Sequence, residues 1–413
     1  MIDLRDRAQV VPRRRILRAL GAVGFSAVDL SAAALAAPRA HGRETAHCVN
    51  WPAWHSFRDR FIPEGGRVID PSSPRAHTVS EGQAYALFFA LVAGDRARFE
   101  ALLRWTEDNL AGGDLSKRLP AWQWGRRDDG SYGVLDANAA SDADLWLSYV
   151  LGEAGRLWQE RRYLALASLL AERVLREETA VLPGLGRTLL PGNRGFVLAP
   201  DHWRLNPSYA PPFLLRWIAN RSADARWQEV LASSHSVLTQ SAPRGFAPDW
   251  TVYEAPGEFE ANPSAPPDRN GSYNAIRVYL WLGMTSRDDG ARAQLLRHFA
   301  PMAELVDRVG LPPETIDIFD GATSGTGPSG FSAALLPFLE SQNREAALHT
   351  QELRLKAQPA QADAYYDQAL CLFGMGWRER RFAFAADGGL VLPAETQVQS
   401  SCATGASAPG AAR

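Results

Sequence analysis

Apolar residues in this chain of 413 recur at helical spacing in segment after segment, and that repetition constrains the fold more than any motif does. The spacing predicts helices over 82–93, 96–110, 143–159, 161–176, 211–219, 226–240, 273–284, 291–308, 331–339, 345–355 and 362–375. Convincing strands are few. The pieces 382–384 and 390–392, with Asp387-Gly388 as a turn, predict one minor β-hairpin. No Pro/Ser linker divides the helical region, so one domain is the economical reading. About eleven or twelve helices in consecutive pairs can close into a double ring with its loops gathered at one end. The expected class is all-α, an (α/α)6 barrel.

Composition removes several function classes. With 46% hydrophobic and 22% charged residues the chain is an ordinary globular protein rather than a fibrous or disordered one. Forty-four Lys and Arg against 46 Asp and Glu leave a net charge of −2, too little positive field to hold a nucleic-acid backbone. The 3 cysteines, Cys48, Cys371 and Cys402, are too few to staple a fold and too scattered for a zinc site. Cys48 and Cys402 form a disulfide or stay as thiols; sequence leaves that open.

The first 36 residues read as an export signal. Arg13-Arg14-Arg15-Ile16-Leu17-Arg18 precedes a weakly apolar, small-residue stretch ending in Ala34-Leu35-Ala36, the order of a twin-arginine-like secretory signal. Asp29 within that stretch argues against an anchor, so no stable membrane insertion is expected. The expected location is periplasmic or secreted. A domain then spans 37–394, and the Ala/Ser/Gly/Gln-rich tail 395–413 reads as disordered.

The chemistry lies in the loops. The segments 117–142, 184–209 and 246–271 are long and rich in Gly, Pro, Trp and Asp, and long loops in a compact domain usually carry function. There is no phosphate loop, no His-Glu-x-x-His pair and no nucleophile elbow, so no metal or cofactor is predicted. Carboxylates and aromatics remain, the equipment for sugar polymers: pyranose C–H faces stack on aromatic rings while carboxylates move protons. Glu81, in Thr78-Val79-Ser80-Glu81-Gly82-Gln83, opens an apolar helix. Asp142 and Asp144 open another, and Gly271-Ser272-Tyr273-Asn274-Ala275-Ile276-Arg277 heads a third. Each alone is equally readable as a helix start, where a cap or an acidic side chain is common.

Taken together, these stretches are similar to glycoside hydrolase family 8. The resemblance rests on Ser80-Glu81-Gly82-Gln83-Ala84-Tyr85, Leu119-Pro120-Ala121-Trp122-Gln123-Trp124, Ala140-Ser141-Asp142-Ala143-Asp144 and Ser272-Tyr273-Asn274-Ala275-Ile276-Arg277-Val278-Tyr279. Trp203-Arg204-Leu205-Asn206-Pro207-Ser208-Tyr209, Gly245-Phe246-Ala247-Pro248-Asp249-Trp250, 327–334 and 363–366 extend it. The resemblance covers nearly the whole chain after the signal and is strongest to the branch accompanying bacterial cellulose synthase. It implies an (α/α)6 barrel, inverting endo-hydrolysis of β-1,4-glucan (cellulose) and a functional association with a cellulose synthase complex. By the same resemblance Glu81 is the proton donor, and Asp142 grips and distorts the sugar at the cleavage point. Asp144 is a helix-start or supporting carboxylate. Trp122, Trp124, Trp203, Tyr209, Tyr273, Tyr365 and Tyr366 would line the groove. Arg277, three residues past Asn274 on the same helix face, would steer a hydroxyl or a carboxylate, or form a structural ion pair.

The departure is Asn274. The related enzymes normally carry an aspartate there as general base. An amide cannot accept a proton near neutral pH. Three explanations stay open. Another carboxylate takes over, either Asp142 or one from the acidic loop with Glu254, Glu258, Glu260 and Asp268; or the enzyme is slow; or the protein binds glucan without cutting it.

Overall fold

The computed structural model describes residues 50–260 and 269–393; the signal-like segment, Cys48, Cys402, Asp268 and the tail lie outside them. Twelve α-helices occur among the described residues. In chain order they are α1 Pro52–Phe61, α2 Ser80–Val92, α3 Arg96–Asn109, α4 Ser141–Leu157, α5 Arg161–Glu177 and α6 Pro212–Arg221. Then follow α7 Arg226–Gln240, α8 Ala275–Met284, α9 Arg292–Val309, α10 Ser329–Ser341, α11 Glu345–Ala357 and α12 Tyr365–Arg378. All eleven expected segments are helical. The addition is α1, whose buried stripe is only three aromatic residues, Trp54, Phe57 and Phe61.

Burial sorts the helices into two rings. In α2 every residue except Glu81 is buried, and α8 is buried throughout. A helix that is apolar all round belongs inside. The even-numbered helices form an inner ring in which neighbours pack in sequence order, and each has an outer partner with one apolar face. The ring closes where Phe373 of α12 meets Phe89 of α2, ring centroids 4.6 Å apart. Close approach between inner helices is permitted by glycine: a β-carbon on Gly374 would strike the Ala333 carbonyl. The all-α barrel is therefore observed.

One end of the barrel is closed by aromatic packing. Tyr85, Phe88, Trp146, Phe213, Trp281 and Phe373 fill the axis, and Phe384 lies flat on Phe213 at 3.9 Å. Phe384 belongs to the predicted hairpin, observed as β13 Ala383–Phe384 and β14 Leu390–Val391. Gly388 supplies its left-handed turn at φ 82°. Buried Glu153 of α4 locks this hairpin down: it accepts from the Trp217 indole at 2.5 Å and the Leu390 N–H at 2.9 Å, and pairs with Arg156. Glu153→Ala leaves the Trp217 indole and the Leu390 N–H without their acceptor and Arg156 without its carboxylate. It should lower unfolding stability by about 3 kcal/mol in urea titrations; a loss below about 1 kcal/mol would show the lock to be replaceable.

The sequence understated the strands. Besides that hairpin, short strands in the loops make four further sheets. In one, β1 Thr78–Val79 pairs with β2 Gln123–Arg126, which pairs with β3 Tyr132–Asp136. A four-stranded sheet joins β6 Val197–Ala199, β7 His202–Leu205, β8 Thr251–Glu254 and β9 Glu258–Glu260. A third carries β10 Asn270–Gly271, β11 Thr315–Asp317 and β12 Thr323–Ser324, and β4 Thr179–Leu182 pairs with β5 Gly186–Leu189. Strands of two to five residues give too little alternation to register in sequence. Among the described residues no helix is long and apolar enough to cross a membrane.

Candidate active site

The inner helices α2, α4 and α8 start at the loop end of the barrel, and their first residues meet there. Ser80 N–H donates to the Trp122 carbonyl at 2.9 Å, so the strand pairing of β1 with β2 sets where α2 begins. Glu81 follows as the one partly open residue of that helix, its side chain 24% exposed. A β-carbon on Gly82 would collide with the Tyr365 hydroxyl, so glycine there lets α12 bring its tyrosines against Glu81's helix.

A buried guanidinium organises the rest. Arg277 Nη1 donates to Glu81 Oε1 at 2.6 Å, and Nη2 donates to Asn274 Oδ1 and Ser208 Oγ, each at 2.9 Å. Asp142 Oδ2 stands 3.7 Å from the same Nη2. The Tyr209 ring lies 5.7 Å from the guanidinium carbon. Glu81 and Asp142 thus straddle one arginine. That arginine is held by Ser208, itself fixed by Asn206 Oδ1 at 2.7 Å.

Electrostatics differ sharply among the carboxyl groups. Burial, then the neighbouring charge of Glu81, lifts Asp142 to about 8 against the pull of Arg277. Its Oδ1 accepts the Ala143 N–H at 2.8 Å. Beneath it, Asp144 and Glu178 are fully buried, and none of their four oxygens takes an N–H from the described residues. Burial first, with the charges of this cluster second, raises both well above the ordinary carboxyl range, which favours a proton held between them.

A carboxyl raised in the folded state costs stability as pH climbs past its unfolded value, because the unfolded chain ionises freely while the buried one resists. For Glu178 that loss begins near 4.5 and continues upward toward the raised folded value. Glu178→Gln should therefore match the wild type in thermal midpoint near pH 4 and exceed it by several degrees at pH 8. A constant difference across that range would mean that no proton is held there.

The expected groove residues separate into two groups. Tyr273, Asn274, Arg277, Tyr365 and Tyr366 line one cleft of about 440 Å³ together with Asp70, Ser72 and Asp367. The Tyr366 hydroxyl donates to the Tyr273 carbonyl at 2.6 Å, and Tyr273 is itself 45% exposed. Trp122 sits half-buried beside Glu81's helix, and its indole N–H, donating to Asp136, holds that carboxyl below the ordinary range. Tyr209 is brought to the arginine.

Trp124 and Trp203 are placed elsewhere. Trp124 packs on Tyr132 and Trp105, with Arg67 4.2 Å over its ring. Trp203 is buried in a second apolar cluster with Tyr253, Leu182 and Leu205. Glu254 of the acidic loop stands 3.6 Å from His202 on that same sheet, and among the described residues nothing ties it to Asn274. Residues not singled out from sequence also contribute. Ser208 holds Arg277, and Trp250 faces Tyr209 at 6.0 Å and Arg204 at 4.8 Å.

A family profile described as "Glycosyl hydrolases family 8" matches residues 40–380. The chain belongs to glycosyl hydrolase family 8. It is 47% identical over 385 residues to an endoglucanase of Xanthomonas axonopodis pv. citri, covering 92% of this chain and 97% of that one. An endoglucanase of Escherichia coli K12 is 45% identical over 341 residues, covering 83% and 90%. Among solved structures, an endo-1,4-D-glucanase from Vibrio fischeri superposes with a TM-score of 0.78 at 44% identity, covering 83% of this chain and 99% of that one. The family-8 resemblance is thus established over residues 40–380.

Proposed function

We propose that this glycoside hydrolase cuts β-1,4-glucan chains internally, with inversion at the anomeric carbon. The observation that carries the reading is Glu81. It is a partly open carboxyl held at 2.6 Å by Arg277, which lines the tyrosine-rich cleft and also faces Asp142. Glu81 protonates the departing bridge oxygen. Asp142, carrying a proton at neutral pH, donates a hydrogen bond to a sugar hydroxyl and holds the ring at the cleavage point. Tyr273, Tyr365, Tyr366, Tyr209 and Trp122 supply the ring and hydroxyl contacts.

The signal-like first 36 residues support action outside the cytoplasm, in the periplasm or beyond the cell. There the enzyme would trim or untangle nascent cellulose in functional association with a cellulose synthase complex. The test is release of reducing ends from carboxymethylcellulose together with loss of viscosity. An endo-acting enzyme lowers viscosity well before much sugar is released. Asn274 favours a second reading, a glucan-binding protein that does not cut. Binding to cellulose with no reducing ends released would select it and end the hydrolase reading.

A further inference from the structure

We propose that Asp249 is the general base of this site, accepting the proton from the attacking water that Asn274 cannot accept. This deepens the hydrolase reading above and rests on it. Inverting hydrolysis needs a second carboxylate, set roughly 6.5–9.5 Å from the acid so that a water fits between them and the sugar. Five carboxyl groups touch the cleft or the residues that line it; Glu314 is taken by the Tyr273 hydroxyl at 3.3 Å, and the surroundings of the other four discriminate among them.

Asp142, raised to about 8 by burial and by the charge of Glu81, keeps its proton at neutral pH and is a poor acceptor. Asp70 is tied to its own loop, where the N–H and hydroxyl of Ser72 occupy its Oδ1 at 2.9 and 2.7 Å. Asp367 is set on the Gly330 N–H at the start of α10. Asp249 is attached to the backbone of the Asn274 segment. Its Oδ1 accepts the N–H groups of Ser272, Asn274 and Ala275 at 2.9, 2.9 and 2.8 Å. Any movement of residue 274 carries Asp249 with it.

Asp249 also faces the right field. It is half-buried, and its charge and that of Glu81 both act on the Tyr366 hydroxyl, which bonds to Arg277. Trp250, the next residue, reaches back to Tyr209 beside the guanidinium. Three N–H donors would by themselves make a carboxylate a feeble base. Here burial outweighs them and raises the group, which suits proton uptake closer to neutral pH.

The step balances without any co-reactant. The water oxygen bonds to the anomeric carbon on the face opposite the leaving oxygen, and the carbon–oxygen bridge bond breaks. Glu81 gives its proton to the leaving oxygen, and the water's proton goes to Oδ2 of Asp249. Asn274, whose Oδ1 is taken by Arg277, turns its amide NH₂ toward the water and orients it.

Asp249→Asn tests this while sparing the architecture, because an amide oxygen still accepts the three N–H bonds. The rate on carboxymethylcellulose should fall by about 10²–10⁴-fold with KM little changed. The acid limb of the kcat/KM profile should disappear. Adding Asn274→Asp to that variant should restore much of the rate, since it puts a carboxylate at the water; mere repair of a loosened loop would not follow from that change. An active wild type whose Asp249→Asn variant keeps its rate overturns the assignment, and so does a lost rate that Asn274→Asp leaves lost. A wild type that releases no sugar overturns the hydrolase reading itself.

Discussion

Glu81→Gln is expected to reduce hydrolysis of carboxymethylcellulose by about 10²–10⁴-fold, the usual worth of a positioned acid. The amide has the same shape, and its oxygen can still accept the 2.6 Å bond from Arg277, so the cleft should keep its form and its affinity for glucan. What disappears is the proton for the departing oxygen. Binding to insoluble cellulose should therefore persist while reducing-end release stops. Leaving-group chemistry separates this role from a structural one. An aryl cellobioside with a strongly acidic phenol needs little protonation on departure, so Glu81→Gln should slow it far less than it slows cellulose. Equal losses on both substrates would mean Glu81 shapes the cleft instead of donating, and undiminished cellulose hydrolysis would remove it from the mechanism.

Much of this was readable before any coordinates, for physical reasons that differ by residue. Helices such as α2 and α8 announce themselves because an inner-ring helix is apolar on every side, and a run of that length has few other destinations. Glu81 stands out as the one polar interruption not buried in such a run. The union of Glu81, Asp142 and Asn274 was legible through family resemblance alone, since 61 and 132 residues of chain separate them. Arg277 as their common partner was half visible: its helix face was clear, but its choice among carboxylates depends on where α2 and α4 begin. Trp203 shows the limit. A tryptophan in a polar loop looks like a sugar platform, yet the strands β7 and β8 fold that loop over its own small core. Asp249 was silent for another reason. Its partners are backbone N–H groups, which carry no side-chain signature in sequence.

Arg277→Met should be as damaging as loss of the donor, although the arginine transfers no proton. The methionine fills similar volume but leaves Glu81 without its orienting donor and Asp142 without the positive charge of the guanidinium. Asp142 is already lifted to about 8 by burial and by Glu81 with Arg277 opposing; removing that opposition lifts it further. Glu81, freed, can take other rotamers, and a shift of about 1 Å in a reacting group costs on the order of 10²-fold. Activity should drop by at least about that factor, mainly in kcat. Arg277→Lys distinguishes charge from geometry. An ammonium restores the opposing field but cannot reach Glu81, Asn274 and Ser208 at once as the planar fork does. If orientation dominates, Lys should recover little of the rate while returning the Asp142 titration toward its wild-type value, read by carboxyl-labelled NMR. Full recovery with lysine would show that the site needs only the charge, and the fork would then have no role in placing Glu81.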